Sequence, residues 1–364
     1  MTVTPSPKKA VASLVSYRPA LGKSANKDLI RLSANESALC WAPKVEEALR
    51  KMPFQLNHYD VPQSAELHNA IAKRYGLEAE RILSANGSDE LIGLICTAYL
   101  EDGDEAIHTQ YGFLVFPQAT TIAGGVPVVA ADEGLTASVD NILAAVTERT
   151  KIIFLANPNN PTGTLLSEAE VRRLHAGLPS HVILVLDWAY AEYVAEGMSY
   201  GARMVEAFEN VVMFRTFSKM HGLAAQRLGW GYFPSKIRDV LASIRPPFSI
   251  NTIANVMGIA AIEDRAFQDK SFAHNQKWQS EFPMRMAEIG LSVNETHANF
   301  FLIDFSGHNV PSAKQAVQFM SDKGILLREM VPYKLDDYLR ISIGTDEEME
   351  IVLSAFQELM EKNQ

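Results

Sequence analysis

The chain has 364 residues, 47% hydrophobic and 21% charged, an ordinary soluble composition with room for one large and one smaller domain. A formal net charge of −10 argues against binding a nucleic-acid backbone as the main business. Two cysteines, Cys40 and Cys96, are too few for a disulfide framework or a metal cluster, and each reads as a small buried apolar residue. The weak apolar run from Ala10 to Val15 is broken by Ser13 and followed by Ser16, which is too short for a signal peptide. No stretch approaches the roughly 20 apolar residues of a membrane helix. The expectation is a soluble cytoplasmic protein.

Residues 1–45 read as an extended arm with four anchors, Tyr17, Asn35, Glu36 and Trp41. A helix begins near Pro43, a residue suited to a first turn, and runs through Arg50. His58-Tyr59-Asp60-Val61-Pro62 is turn-like. A second helix spans about Ser64 to Tyr75, where Leu67, Ile71 and Tyr75 recur at every fourth position, as one buried face requires. The stretch from Ile82 to Ile92 ends a strand and opens a helix. Gly87 there lets the backbone approach a ligand, Ser88 or Asp89 can cap the helix, and the free N–H groups of its first turn suit an anion. A plain capped helix is the bland alternative.

Strand-like and helix-like pieces then alternate. Glu105–Thr109 reads as a strand, Tyr111-Gly112-Phe113 opens a helix carrying Val115 and Phe116, Pro127–Ala130 is a strand and Ile142–Val146 a helix. Lys151–Ala156 is a near-continuous apolar run, the mark of a central parallel strand, and it ends in the turn cluster Asn157–Gly163. Ser167 and Glu170 have capping-box spacing ahead of a helix lined by Val171, Leu174 and Leu178. His181–Leu186 is again apolar and finishes at Asp187; Val211–Phe214 leads into Arg215-Thr216-Phe217-Ser218-Lys219. This order means βαβ units, a mostly parallel sheet, and ligands outside the carboxyl ends of the strands. Asn160, Asp187 and Lys219 all fall at or just after such ends. A lysine at a strand mouth is costly to bury charged, so it either snorkels or works. Two hydroxyls before it and Arg227 after it suit a phosphate beside a Schiff base, while ordinary surface polarity is the other reading. Beyond residue 262 a charged helical segment, Asp264–Gly290, leads to strands at Asn299–Ile303 and Leu339–Ile343 and a helix at Glu347–Lys362. The expected division is a large domain over residues 46–262 and a smaller α/β domain from residues 263–364 joined by the arm 1–45.

Together these segments resemble the fold-type I pyridoxal-phosphate aminotransferases, most closely the histidinol-phosphate aminotransferase group. The motifs run from Ser33-Ala34-Asn35-Glu36 through Asn86–Glu90, Asn157–Gly163, Asp187-Trp188-Ala189-Tyr190 and Thr216–Ala224 to Gly324–Arg328 and Leu339–Thr345. Each is weak alone, and their shared order covers nearly the whole chain. The resemblance implies pyridoxal 5'-phosphate as cofactor and Lys219 as the Schiff-base lysine and proton shuttle. It implies that Asp187 pairs with the pyridine nitrogen and that Asn160 and Tyr190 bind the phenolic oxygen. Gly87, Ser88, Asp89, Thr216, Ser218 and Arg227 would hold the phosphate. Tyr111 sits where the family stacks an aromatic ring, although a core aromatic is an equal reading. Tyr59 matches a tyrosine that reaches the phosphate of a neighbouring subunit, which implies a homodimer with shared sites. Arg340 resembles the arginine that grips a substrate carboxylate; Arg328 faces the substrate or the solvent; and Tyr17, Asn35 and Glu36 contribute to the substrate pocket.

Some positions depart from the family pattern, chiefly Leu39-Cys40-Trp41-Ala42-Pro43 and Trp188. Trp41 and Trp188 are therefore expected to reshape the pocket for a bulkier or less polar side chain. The leading expectation is amino transfer between histidinol phosphate, or an aromatic L-amino acid, and 2-oxoglutarate or glutamate. The alternative is a decarboxylase or lyase on the same fold, which differs by a few pocket contacts. A regulator on this fold would carry a basic helix-turn-helix segment, and none is visible.

Overall fold

The two most continuous apolar runs are buried along almost their whole length and pair in parallel at the centre of a seven-stranded sheet. The computed structural model describes residues 5–12, 14, 29–52, 57–59, 64–194 and 200–363. Tyr17 and the turn residues Asp60, Val61 and Pro62 lie outside the described residues. Along the chain the strands are β1 (Ile30–Arg31), β2 (Ile82–Ala85), β3 (Glu105–Thr109), β4 (Val126–Ala130), β5 (Thr150–Ala156), β6 (Ile183–Asp187) and β7 (Val211–Thr216). They continue with β8 (Gly229–Tyr232), β9 (Ser292–Val293), β10 (Phe300–Asp304), β11 (Ile325–Leu326), β12 (Arg328–Glu329) and β13 (Tyr338–Ser342).

The large sheet has the order β2-β8-β7-β6-β5-β3-β4. Its strands pair in parallel except β8, which runs antiparallel to both β2 and β7. Two apolar layers cover it. Along β6, Leu184 and Leu186 enter one layer with Leu67, Leu174 and Met204, while Ile183 and Val185 enter the other with Leu91, Ile95 and Phe116. That alternation is the two-residue period of a strand. It sends Trp188 into the first layer, where the ring is fully buried and packs edge-on to Tyr200 at 4.6 Å. Trp188 is thus a core residue and does not reshape the pocket. Trp41 is half exposed and also stands outside the pocket wall.

Strand β8 was not anticipated, because Gly229-Trp230-Gly231-Tyr232 carries two residues that weaken a strand signal. The reason for Gly229 is a close approach: a Cβ there would come within 2.4 Å of Ser88 N and 2.5 Å of the Gly87 carbonyl carbon. Gly229→Ala is expected to push the helix Ser88–Tyr99 away from β8, lowering Tm by several degrees and weakening phosphate binding about tenfold. Thermal unfolding and phosphate titration of the cofactor-free protein would measure both, and unchanged values would remove this role.

A second core lies around the four-stranded antiparallel sheet β12-β13-β10-β9, under the helices Arg265–Glu288, Ala313–Asp322 and Asp346–Asn363. The arm joins it: β1 pairs in parallel with β11, and Leu32 enters this core. Ten residues later Ala42 and Val45 already belong to the first core. Two capping expectations need correction. Ser167 Oγ accepts from Glu170 N–H at 3.2 Å, but the Glu170 carboxylate turns to Arg173, so the box is half made. The helix Ser88–Tyr99 has Gly87, not Ser88 or Asp89, at its N-cap, with no side chain capping it. Cys96 is buried as expected, whereas Cys40 is exposed.

Candidate active site

A cavity of about 500 Å³ opens at the carboxyl ends of β5, β6 and β7 and is closed on its far side by the second core. Its wall brings together residues from across the whole chain, and its chemistry divides into three parts.

At one end is an anion cradle. The helix Ser88–Tyr99 points its uncapped N terminus at the cavity, with Gly87 in the left-handed region at φ 86°. That φ favours glycine, and a Cβ there would lie 2.5 Å from Arg227 Nη2 and push the guanidinium aside. Arg227 Nη1 donates to Ser218 Oγ at 3.4 Å and Nη2 to the Asp89 carboxylate at 3.3 Å. Both partners of the Arg227–Asp89 pair are about half exposed, so the pair itself adds little stability. Thr216 Oγ1 accepts from Ser218 N–H at 3.1 Å, which fixes the turn that carries both hydroxyls. Free N–H groups, two hydroxyls and an arginine are the donor set of a phosphate site.

The middle holds three ionisable groups. Asp187, at the end of β6, is 4% exposed, and its Oδ1 accepts from Ala189 N–H at 3.1 Å. Burial and the charge of Asp89 push its carboxyl up to about 7, with Lys219 only partly offsetting them. Lys219, half-buried in the turn after β7, donates from Nζ to the Ala34 carbonyl at 3.3 Å. Burial and the Arg340 charge draw its ammonium down to about 8, against the opposing pull of Asp89 and Glu36. Tyr190 is buried, with its ring centroid 5.7 Å from Lys219 Nζ, and its hydroxyl accepts from Asn35 Nδ2 at 2.9 Å. Burial holds that phenol above its usual range.

At the other end stand two arginines. Arg328 on β12 and Arg340 on β13 are direct partners across the antiparallel ladder, and both line the cavity. Arg340 is buried, donates to Asn160 Oδ1 at 2.5 Å and to the Ser33 carbonyl at 3.0 Å, and lies over Phe300 at 5.3 Å. Two guanidinium groups at one end of the cavity are donors of the kind that suit an anion.

The aminotransferase class I and II family profile matches residues 27–356. The chain belongs to that family. Among curated relatives of this aminotransferase, the histidinol-phosphate aminotransferase of Rhodospirillum centenum is 45% identical over 328 residues, 90% of each chain. That of Rhodopseudomonas palustris strain HaA2 is 42% identical over 363 residues, 98% of this chain and 99% of its own. The crystal structure of histidinol-phosphate aminotransferase from Sinorhizobium meliloti in complex with pyridoxal-5'-phosphate aligns with a TM-score of 0.91 at 27% identity over all of both chains. Aspartate aminotransferase from Thermus thermophilus with maleate shares the fold, with a TM-score of 0.80 at 23% identity over 91% and 92% of the two chains. The resemblance read from the motifs and the fold-type I α/β architecture are both borne out.

The aminotransferase's cavity gathers Asn35, Glu36, Ser88, Asp89, Asn160, Asp187, Tyr190, Thr216, Ser218, Lys219, Arg227, Arg328 and Arg340 in one wall. Gly87 lies just behind it, against Arg227. Tyr111 does not line it: the ring packs on the Leu302, Met330, Tyr333 and Leu335 cluster, and Phe113 and Leu114 form that part of the wall. Tyr59 is 74% exposed, stacked on Phe248 at 4.2 Å and away from its own chain's cavity. Gln118 and Tyr333 also line the cavity and carried no motif signal. Among the described residues no helix is long and apolar enough to cross a membrane, and no cluster of His, Cys, Asp or Glu is arranged to hold a metal.

Proposed function

We propose that the chain carries pyridoxal 5'-phosphate at Lys219 and moves an amino group between histidinol phosphate, or an aromatic L-amino acid, and 2-oxoglutarate or glutamate. The observation that carries the reading is the cavity's two-ended charge: a phosphate cradle at Arg227, an arginine pair at Arg328 and Arg340, and one lysine between them. The names of relatives at 42–45% identity support the same substrate.

When bound, the cofactor supplies an electron sink for the carbanion at the substrate α carbon. The residues do the rest. Ser88, Asp89 and Gly87 offer backbone N–H groups, and Thr216, Ser218 and Arg227 offer side-chain donors, to hold the phosphate. Asp187 presents a buried carboxylate for the ring nitrogen and keeps a proton there. Asn160 and Tyr190 present an amide and a phenol for the ring hydroxyl. Lys219, drawn down to about 8, is unprotonated in a useful fraction near neutral pH and takes the proton from the substrate α carbon through Nζ. Arg340 grips the carboxylate of glutamate, and Arg328 receives the anionic group of the partner substrate. Asn35 holds the Tyr190 hydroxyl and, with Glu36, forms the arm's side of the pocket.

The proposal includes a cytoplasmic homodimer in which the exposed Tyr59 reaches the neighbouring subunit's phosphate. It also includes a large domain over residues 46–262 and a small one from 263–364 with the arm 1–45; Leu32 in the second core supports the arm's place in the small domain, whereas Ala42 and Val45 pack in the first core and move the crossover ahead of residue 42.

The test is to mix the loaded protein separately with histidinol phosphate, phenylalanine, tyrosine and glutamate. Formation of the pyridoxamine cofactor and the matching oxo product is expected, fastest with histidinol phosphate. Release of carbon dioxide or ammonia instead would establish the decarboxylase or lyase. In the same assay Arg340→Ala is expected to raise KM for glutamate about 100-fold, the cost of losing a buried charged grip. Unchanged glutamate kinetics would remove that assignment.

A further inference from the structure

Behind Lys219, on the sheet face away from the cavity, lies a buried charge cluster that the reaction scheme does not use. Glu192 and Arg215 are both over nine-tenths buried, and Arg215 Nη2 donates to Glu192 Oε1 at 2.7 Å. His221, also buried, brings Nε2 to 3.6 Å from the same oxygen. Tyr75 adds its hydroxyl at 3.5 Å from Glu192, and its ring, with that of Trp230, covers the guanidinium at 4.7 and 5.5 Å.

The cluster's place in the chain is what gives it meaning. Glu192 follows Tyr190 by two residues, Arg215 precedes Lys219 by four, and His221 follows it by two. One carboxylate oxygen therefore contacts both flanks of the lysine turn from the segment that carries the site tyrosine. A well-packed apolar pair is usually as stable as a buried ion pair, so stability alone does not account for the charges.

We propose that Glu192 is a positioning residue for amino transfer, holding the Lys219 turn and the Tyr190 segment in register through Arg215 and His221. Its carboxylate is the pin to which both flanks of the turn are fixed. This rests on the reading of Lys219 as the cofactor-bearing amine, and the experiment separates the two.

Cofactor-free protein is mixed with pyridoxal 5'-phosphate and quenched with borohydride. The Lys219 amine and the aldehyde condense with loss of water, hydride reduces the C=N bond, and mass spectrometry locates the adduct. Affinity for pyridoxine 5'-phosphate, which has no aldehyde, is measured in parallel by calorimetry. In Glu192→Gln, capture at Lys219 is expected to slow about 10- to 100-fold, the scale of a misplaced reacting group. Pyridoxine phosphate affinity should stay within about threefold of wild type. Glu192→Asp should recover part of the rate. The double variant Glu192→Met, Arg215→Met should fold and remain slow. Wild-type capture rates in folded Glu192→Gln or in the double variant would overturn the proposal. So would capture and pyridoxine phosphate binding falling together. Failure of wild-type protein to form the Lys219 adduct would instead strike at the Lys219 reading itself.

Discussion

Lys219→Ala is expected to lower turnover by at least about 10⁴-fold, since it removes the group proposed as both covalent anchor and proton carrier. The cofactor should still bind, because Arg227, Ser218 and the helix terminus at Ser88 form the cradle independently of the lysine. Oxo-product formation under multiple turnover checks the first point, and retention of cofactor through dialysis checks the second. A variant within tenfold of wild type would break the assignment. A stability effect accompanies it. The folded protein deprotonates Lys219 near 8, below the ordinary 10.5, so the unfolded chain binds more protons between those values. Stability therefore rises with pH across that window, and the penalty is fully present below about 8. Cofactor-free Lys219→Ala should be more stable than wild type there.

The second large effect belongs to Asp187. In the cofactor-free protein its carboxyl titrates at about 7 against an ordinary 3.8. The folded state binds more protons between those values, so stability falls as pH rises through that window and the penalty is complete above about 7. Three pKa units correspond to roughly 4 kcal/mol, an upper bound for a carboxyl that faces a water-accessible cavity. Asp187→Asn should accordingly stabilise the cofactor-free protein at pH 8, while leaving it nearly unchanged at pH 4. Turnover should fall about 10³-fold, because in the role proposed for Asp187 a neutral amide cannot hold the ring nitrogen's proton as an anion does. Urea denaturation at the two pH values measures the first effect. Equal differences at both would show that the buried carboxyl carries no such cost.

Asp187 and Lys219 were legible because each ends an apolar run, and the ends of parallel strands converge in space. The order of the βαβ units, the helix Arg265–Glu288 and the strands around Phe300 and Arg340 were legible for the same reason, from periodicity. Trp188 was misread although the signal was present: once Asp187 faces the cavity, its neighbour must face the opposite layer. Strand β8 was not legible, since Gly229 answers to a helix about 140 residues away in sequence, about which local pattern says nothing. Tyr111 and Tyr333 fall in the same class. Where they point depends on how the second core closes over the first, a long-range matter. The cluster at Glu192 was hidden although Arg215 and His221 lie in the Lys219 stretch, because local pattern does not say that they meet the carboxylate of Glu192.

The arm has a consequence for how the enzyme comes into being. Ser33, Ala34 and Asn35 touch Arg340, Lys219 and Tyr190 in turn. Their alignment is set by β1 lying against β11. The partner strand emerges from the ribosome nearly 300 residues after the arm does, about 15 to 60 s later at ordinary rates of synthesis. Throughout that interval the arm waits without its template. Activity therefore arrives late and all at once, and a chain truncated before Ile325 is expected to carry Lys219 in place yet remain silent.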